Sequence, residues 1–284
     1  MVQLPETPRP AMPDPSLALP RRLGPAAEIG HKPDGALRLF TLNLAHGRRL
    51  MPHQTLVPRS RVESHLAEVA ETIAVLAPDV AAFQEADGPS AWSGNFDHVA
   101  ALAEGSGLRW HFRGEHNPFG VGRYDLAAGT ALTSLLPLEV TWSQRFGVSW
   151  RDTKGFVVAT VMPPAWGFEI DVVSVHLDFL LPRVRRRQIR AMADVLVARR
   201  RPCIVLGDLN CGFVGEPATM RLLIQALDLH TVKPLEGEPT YPAYRPKRRL
   251  DWILASSRLR FSSYLTIPDQ LSDHLAVLAD VVPA

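Results

Sequence analysis

The segment at residues 203–211, CIVLGDLNC, constrains the fold of this chain more than any other. Its first four residues are apolar and two are β-branched, which is typical of a strand buried on both faces of a sheet. Gly207 permits a tight turn after the strand, and Asp208 and Asn210 follow at once. In an open α/β sheet this is the edge where binding crevices form. For the segment taken alone, an ordinary strand followed by an Asx turn is an equally good interpretation.

The composition indicates a globular protein and excludes several functional classes. Of its 284 residues, 46% are hydrophobic and 21% are charged. A net charge of +2 gives no field that draws the whole protein onto nucleic acid, although a local basic patch is compatible with it. No apolar run reaches the roughly 18–20 residues of a membrane span, and the start lacks a signal-peptide core. We therefore expect a cytoplasmic monomer without stable membrane insertion.

Two regions of the chain differ in character. Residues 1–35 contain eight prolines and predict a disordered or loosely packed tail. Residues 36–284 show no repeat and no convincing linker, so they predict one domain. The two cysteines, Cys203 and Cys211, fit neither a metal-binding pair nor a disulfide framework. We expect both thiols to be reduced.

The first half of the domain predicts a strand, a helix and a second strand. Residues 36–44 alternate toward a strand that ends at Asn43. Residues 60–63, SRVE, match a capping box that would start a helix. Residues 80–85 form the next apolar run, which ends at Glu85. Strands joined by one helix are parallel, so Asn43 and Glu85 are predicted at the same edge of the sheet.

The middle of the chain predicts a β-hairpin from residues 156–162 and 168–177. The second of these strands ends at His176, a position that more often has a structural role than a catalytic one. Between the two strands lies the segment PPAWG, which predicts a loose turn.

A helix rich in arginine is predicted after this hairpin. Its apolar seam directs Arg183, Arg187 and Arg190 outward, and it brings Arg185 and Arg186 toward the site edge. Two interpretations stay open. The arginines form either a solvated basic face or a patch that holds phosphate, since guanidinium groups pair with phosphate oxygens.

The polar residues at predicted strand ends suit the hydrolysis of phosphate esters. They include no activated serine or cysteine, but they offer carboxylates for a hard cation, imidazoles and amides. There is no GxxxxGK[ST] loop for a nucleoside triphosphate, and the histidines lack the HExxH spacing of a zinc hydrolase. The candidates are Asn43, Glu85, His176, Asp208, Asn210, Asp251, Asp273 and His274.

Six short motifs together resemble the endonuclease/exonuclease/phosphatase superfamily, which includes DNase I-like nucleases, inositol-polyphosphate 5-phosphatases, neutral sphingomyelinases and deadenylases. They are TLN at 41–43, FQE at 83–85, VHL at 175–177, GDLN at 207–210, RLD at 249–251 and SDH at 272–274. They follow the family's order, and the chain is most similar to compact bacterial stand-alone members. The resemblance implies an α/β (α+β) fold, a four-layered α/β/β/α sandwich of two packed mixed β-sheets flanked by helices.

The resemblance also implies a metal site. Glu85 matches the family's principal Mg²⁺ ligand, and Asn43 and Asp273 match positions close to the metal. Mg²⁺ is therefore the expected cofactor, and Mn²⁺ is a possible substitute.

The catalytic roles are likewise implied by the resemblance. Asp208 would orient or deprotonate the attacking water, while Asn210 and His176 would hold phosphoryl oxygens. Asp251 would pair with His274 and fix its tautomer and charge. A histidine at position 176 is similar to the DNase I, 5-phosphatase and sphingomyelinase branches, whereas abasic-site nucleases usually carry asparagine there.

Four residues are predicted to contact the substrate phosphate, namely Thr130, Arg185, Arg186 and Arg249. One of them departs from the family's pattern. Many relatives have Gly-Asn where this chain has Gly129 followed by Thr130. A threonine hydroxyl donates one hydrogen bond and has a shorter reach than an asparagine amide.

The leading hypothesis is a Mg²⁺-dependent phosphohydrolase, and within it a phosphodiesterase with a nuclease-type substrate is slightly favoured. An enzyme acting on a phospholipid, phosphoinositide or sphingomyelin-type ester is the alternative. A third hypothesis, from another class, is an inactive binding protein on the same fold. The complete set of metal and catalytic positions argues against it.

Overall fold

A computed structural model describes residues 30–116, 120–121, 124–147 and 153–284 of the chain. Of the tail predicted over residues 1–35, residues 1–29 lie outside these ranges. The described ranges contain the α-helices α1 Arg59–Leu76, α2 His98–Ser106, α3 Pro182–Arg199 and α4 Pro217–Leu227. Short 3-10 turns lie at Ala45–Gly47 and Gln54–Leu56.

The β-strands form two large sheets and one short ribbon. The strands are β1 Leu37–Asn43, β2 Val80–Asp87, β3 Trp110–Glu115, β4 Gly120–Val121, β5 Tyr124–Asp125, β6 Ala128–Ser134, β7 Glu139–Arg145, β8 Gly155–Val161, β9 Ile170–His176, β10 Cys203–Asp208, β11 Leu229–His230, β12 Asp251–Ser256, β13 Leu259–Thr266 and β14 Val277–Pro283. The first sheet has the order β13-β14-β1-β2-β6-β3, and the second has the order β11-β12-β10-β9-β8-β7. β4 and β5 pair with each other.

Three layers of apolar side chains hold the sheets and helices together. The inner faces of the two sheets pack on each other through residues such as Leu39 and Ile204. The outer face of the first sheet packs against α1 and α2, and that of the second sheet packs against α3 and α4. The predicted four-layered α/β/β/α sandwich is therefore confirmed. No helix in the described ranges is long and apolar enough to cross a membrane.

Strand pairing brings the predicted site residues to one edge of each sheet. β1 and β2 are parallel, and Asn43 lies opposite Gln84. β9 and β10 are also parallel, with His176 opposite Asp208, and Asp251 on the antiparallel β12 lies on the other side of Asp208. The strand–helix–strand prediction for the first half of the domain is confirmed. So is the predicted hairpin, since β8 and β9 pair in antiparallel register.

The predicted capping box is wrong. The N-cap of α1 is Pro58, whose extended backbone leads into a helix that begins at Arg59, so Ser60 lies inside the first turn. Proline lacks a side-chain acceptor and leaves the cap without a side-chain hydrogen bond. α2, by contrast, has a side-chain cap, because Asp97 accepts hydrogen bonds from two backbone N–H groups directly before His98.

The sequence patterns do not predict two of the edge strands. β7 and β13 lie at the outer edges of the second and first sheets and carry mostly exposed or half-buried side chains. Neither has an apolar run like those of β2 and β10, because an edge strand buries less of its surface.

The cysteines match expectation, since Cys203 and Cys211 are both buried free thiols.

Residues directly before β1 contact the domain. The Lys32 ammonium pairs with the Asp79 carboxylate at 2.8 Å. The carbonyl of Gly35 accepts a hydrogen bond of 2.7 Å from the Trp166 indole.

A buried ion pair links two neighbouring strands of the first sheet. The Arg38 guanidinium on β1 donates to both carboxylate oxygens of Asp280 on β14, at 2.7 and 2.9 Å. Their side chains are only 9% and 2% exposed. The same guanidinium also donates to the carbonyl of Leu76, at the C-terminal end of α1. Removing one partner would leave a buried charge without compensation.

We therefore expect Asp280→Asn to lower the free energy of unfolding by about 3–5 kcal/mol in urea denaturation. The control is Glu63→Gln, which breaks the exposed pair between Arg59 and Glu63. That change should cost no more than about 0.5 kcal/mol. Equal effects of the two substitutions would contradict the structural role given to the buried pair.

Candidate active site

The predicted catalytic residues converge on the carboxylate of Asp208, which is 2% exposed. One carboxylate oxygen, Oδ2, accepts a 3.1 Å hydrogen bond from the Asn43 amide. The same oxygen lies 3.4 Å from His176 Nε2 and 3.9 Å from His274 Nε2. The other oxygen accepts a 2.9 Å bond from the backbone N–H of Asn210. Residues from both sheets therefore surround one carboxylate.

The charge state of Asp208 is set mainly by its surroundings. Burial raises the pKa of the Asp208 carboxyl to about 6, although the nearby His274 opposes part of this rise. A carboxyl with such a pKa is ionised at neutral pH and is basic enough to accept a proton.

His274 is held as a cation beside this carboxylate. Its Nδ1 lies 2.8 Å from Asp251 Oδ2, which also accepts a 2.6 Å bond from the Thr240 hydroxyl. Burial alone would lower the pKa of His274, but the carboxylates of Asp251 and Asp208 outweigh burial and raise that pKa to about 10. The predicted pair of Asp251 and His274 is thus present as a close contact.

The side chain of Asn210 is oriented by its own backbone and by β9. Its backbone adopts the left-handed region at φ 50°, which asparagine tolerates better than most residues. The side-chain amide donates a 3.0 Å bond to the carbonyl of Leu177. The side chain of Asn210 is therefore held against the end of β9.

A β-bulge turns Glu85 toward the site. The register between β2 and β6 shifts between Gln84 and Ala86, and Glu85 has a φ of 49°. Bulges of this kind often re-aim a side chain next to an active site. The Glu85 carboxylate lies 3.4 Å from His46 Nε2 and 3.5 Å from Lys154 Nζ. Burial alone would raise the pKa of Glu85, but His46 and Lys154 outweigh it and hold that pKa well below its usual range.

Lys154 also fixes the tautomer of His176. The ammonium of Lys154 lies 3.2 Å from His176 Nδ1. Burial, with help from Lys154, lowers the pKa of His176 well below its usual value. Because an ammonium group only donates, Nδ1 is the acceptor and Nε2 carries the hydrogen. The neutral ring therefore directs its N–H toward the Asp208 carboxylate.

A second carboxylate–imidazole pair lies beside Glu85. His46 Nδ1 is 2.7 Å from Asp87 Oδ1, and the Trp92 indole donates to the other oxygen of Asp87 at 2.9 Å. Burial opposes protonation of His46, but Glu85 and Asp87 outweigh it and raise the pKa of His46.

Sequence analysis missed four residues of the site, namely His46, Asp87, Lys154 and Thr240. Asp87 carried a signal, since it follows the proposed metal ligand Glu85 by two positions on the same strand. Lys154 carried none, because it precedes β8 outside any motif.

The residues present fit a divalent cation, although the predicted ligands are not grouped by direct contact. The Glu85 carboxylate borders a cavity of about 70 Å³ and has the oxygen ligands that hard cations prefer. Asp273 instead pairs with Arg48 at 2.6 Å. Elsewhere in the described chain, possible ligand atoms of Asp208, Asp251 and His274 lie within 4.8 Å of one another. A metal position at Glu85 stays a prediction.

Two of the predicted phosphate-binding residues, Thr130 and Arg249, already have partners within the protein. The hydroxyl of Thr130 lies 2.9 Å from His116 Nε2, and burial lowers the pKa of His116 to about 3. Arg249 stacks over Trp252, with 3.9 Å from its guanidinium carbon to the ring centroid. It also donates a 2.8 Å bond to the carbonyl of Lys233.

The arginines of α3 differ in exposure, as the sequence pattern predicts. Arg183, Arg187 and Arg190 are exposed. Arg185 is buried, where it forms an ion pair with Glu216 and donates to a backbone carbonyl of the loop after β9. Arg186 is half-buried. A phosphate-binding role for Arg185 and Arg186 stays a prediction.

The sequence of the chain matches a known protein family. The sequence profile described as the Endonuclease/Exonuclease/phosphatase family matches residues 40–274. No curated protein sequence matches the chain significantly. Among solved structures, the endonuclease/exonuclease/phosphatase from Beutenbergia cavernae is 22% identical with a TM-score of 0.68, covering 88% of this chain and 72% of that one.

Two further structures have the same fold. The human Nocturnin catalytic domain with bound sulfate is 20% identical with a TM-score of 0.67, covering 89% of this chain and 97% of that one. Sphingomyelinase C from Streptomyces griseocarneus is 21% identical with a TM-score of 0.61, covering 86% and 99%. At these identities the likeness concerns the fold, and the family profile carries the assignment. The chain belongs to the endonuclease/exonuclease/phosphatase family of metal-dependent phosphoric ester hydrolases.

Proposed function

We propose that this enzyme hydrolyses phosphodiesters, with Asp208 as the general base. The observation that carries the proposal is a buried carboxylate, with its pKa raised to about 6, surrounded by N–H donors from both sheets. A general base is most effective when its pKa lies near the working pH. No serine or cysteine nucleophile is required, because water is the attacking group.

The neighbours of Asp208 have complementary roles. The Asp208 carboxylate accepts the proton of the attacking water, and Asn43 and the backbone N–H of Asn210 hold that carboxylate in place. The imidazolium of His274 and the N–H of His176 offset the negative charge that builds on the phosphoryl group. Their positions are fixed before the reaction, so little reorganisation is needed.

A divalent ion, Mg²⁺ or in its place Mn²⁺, would be held by Glu85 with Asn43 and Asp273 nearby, and it would neutralise charge on the phosphoryl oxygens. Lys154 pairs with Glu85 and contacts His176, so it joins the proposed metal position to the proposed phosphate position.

A nucleic acid is the favoured class of substrate. A groove of about 460 Å³ adjoins Asn210, and it is lined on one side by Lys247, Arg248 and Arg249. Lys247 and Arg248 are exposed. Cations along a groove beside the reacting centre favour a substrate that carries further phosphates beyond the one that is cleaved.

A phospholipid is the second candidate, and a separate surface favours it. Phe179, Leu180 and Leu181 lie between β9 and α3 and are 62%, 65% and 42% exposed. Three neighbouring apolar side chains in water are unusual, and such a patch next to exposed arginines suits an anionic lipid surface. Arg183 and Arg187 are the nearest exposed cations along α3.

We expect Asp208→Asn to lower kcat on a nitrophenyl phosphodiester by about 10²–10⁴-fold, because the amide cannot accept the proton of water. The variant should remain folded, because asparagine has nearly the shape of aspartate, and a thermal unfolding curve checks this. The matched control is Asp194→Asn on the exposed face of α3, which should leave kcat unchanged. Equal activity of the two variants would refute the role of Asp208 as base.

The pH profile of kcat/KM should be bell-shaped. Activity falls as the pH drops below about 6, because Asp208 becomes protonated and cannot accept a proton. Activity falls again above about pH 10, because His274 loses its positive charge. Asp251→Asn removes a carboxylate that sustains the His274 cation, so the alkaline limb should move to lower pH by about one unit or more. An unmoved alkaline limb would contradict the assignment of His274.

A substrate panel distinguishes the two candidates. Plasmid DNA, single-stranded RNA, phosphoinositide vesicles, sphingomyelin vesicles and a nitrophenyl phosphodiester are compared with metal and with chelator. Steep loss of activity with salt would favour nucleic acid. Leu180→Ser should reduce turnover of vesicles alone if the lipid candidate is right. If no ester is hydrolysed while metal still raises the melting temperature, the proposal of catalysis fails in favour of an inactive binding protein.

A further inference from the structure

His46 lies inside the active-site cavity, although none of the six motifs contains it. It follows Asn43 by three residues and belongs to the 3-10 turn Ala45–Gly47. Its side chain is 16% exposed, and its ring lies 5.1 Å from that of Trp92, measured between centroids. Nothing in the mechanism above uses this imidazole.

The hydrogen-bond partners of His46 determine which nitrogen faces the cavity. Nδ1 lies 2.7 Å from the Asp87 carboxylate, which only accepts, so Nδ1 carries a hydrogen. The Trp92 indole donates to the second oxygen of Asp87 and holds that carboxylate in place. Proteins commonly orient a metal-binding histidine in this way, with a carboxylate on the nitrogen that does not bind the ion.

The other nitrogen of the ring faces Glu85. Nε2 lies 3.4 Å from Glu85 Oε2, whereas Lys154 lies 3.5 Å from Oε1. The two neighbours of Glu85 are thus measured to different oxygens of its carboxylate. Two ligand atoms that bind one ion at about 2.1 Å are about 3.4 Å apart in a tetrahedral arrangement, and about 3.0 Å apart in an octahedral one. The observed separation suits an ion shared by both groups.

The cavity has room for such an ion. His46, Glu85, Trp92, Lys154 and His176 are among the residues that line its volume of about 70 Å³. A single water molecule needs about 10–15 Å³ of such space. The space therefore accommodates an ion together with one water or phosphoryl oxygen.

We infer that His46 Nε2 and Glu85 bind the divalent ion together, and that the imidazole makes the site favour Mn²⁺ over Mg²⁺. Mg²⁺ strongly prefers oxygen ligands and retains its water, whereas transition metals accept imidazole readily. Asp87 acts as a positioning residue that fixes the ring. This inference rests on the proposed function, since the ion is the one that the phosphoesterase would use at Glu85.

Calorimetric titration of the full-length, metal-free protein with Mn²⁺ and with Mg²⁺ tests the inference. His46→Asn should weaken Mn²⁺ binding by about tenfold or more, and it should change Mg²⁺ binding by less than about threefold because Mg²⁺ depends on oxygen ligands. Asp87→Asn should weaken Mn²⁺ binding in the same direction and leaves the imidazole in place. The control, His111→Asn, changes an exposed histidine on β3 and should alter neither affinity. Equal losses for both ions in His46→Asn, or no loss for either, would overturn the inference.

Pulsed electron paramagnetic resonance of the Mn²⁺-loaded protein provides a readout independent of affinity. We expect nitrogen coupling from one imidazole in the wild type and in His111→Asn, and its loss in His46→Asn. Coupling that persists in His46→Asn, or that is absent from the wild type, would overturn the role of His46.

Glu85→Gln separates this inference from the function on which it rests. If that variant loses both ions while His46→Asn binds as the wild type does, only the role of His46 is wrong. If Glu85→Gln binds both ions normally, the proposed metal position itself fails.

Discussion

The hydrogen bond between Asn43 and Asp208 is the contact on which the candidate site depends. Asn43 ends β1 of the first sheet and Asp208 ends β10 of the second, and the 3.1 Å bond between them spans the junction of the sheets. A buried carboxylate is costly unless donors surround it. Here the donors come from both sheets, so the packing of the sandwich and the basicity of Asp208 are set by the same geometry. The position of the proposed base therefore depends on how the two sheets pack against each other.

The residues behind this bond allow the sheets to approach closely. A Cβ atom on Gly207 would lie 2.1 Å from the carbonyl oxygen of Val175 and 2.9 Å from the Gln84 amide nitrogen. Gln84 on the first sheet donates to the Ser174 hydroxyl on the second at 3.1 Å. Ser174 donates in turn to the carbonyl of Phe83. Glycine and a satisfied polar network are thus required directly beneath the site, where bulkier apolar pairs would hold the layers apart.

Much of this arrangement is predictable from sequence, because apolar runs reveal where strands end. Asn43, His176 and Asp208 each close such a run. Parallel pairing brings His176 and Asp208 to one edge of the second sheet, and it brings Asn43 beside Gln84 in the first sheet. The position of Glu85 is less predictable in detail, since its side chain is aimed by a bulge that leaves no mark in the hydrophobic pattern. Lys154 enters the site from outside every motif, so only the packing of β8 beside β9 reveals it. Local patterns therefore predict the ends of elements, whereas contacts between distant loops need the folded chain.

The most direct test of this account is a double-mutant cycle on Asn43→Ala and Asp208→Asn, measured as kcat on a nitrophenyl phosphodiester with saturating metal. If Asn43 acts by holding the Asp208 carboxylate, its loss should matter only while that carboxylate is present. The account predicts that the double variant is no slower than Asp208→Asn alone. If the two effects instead multiply, the residues act independently, and the bond across the sheets does not position the base.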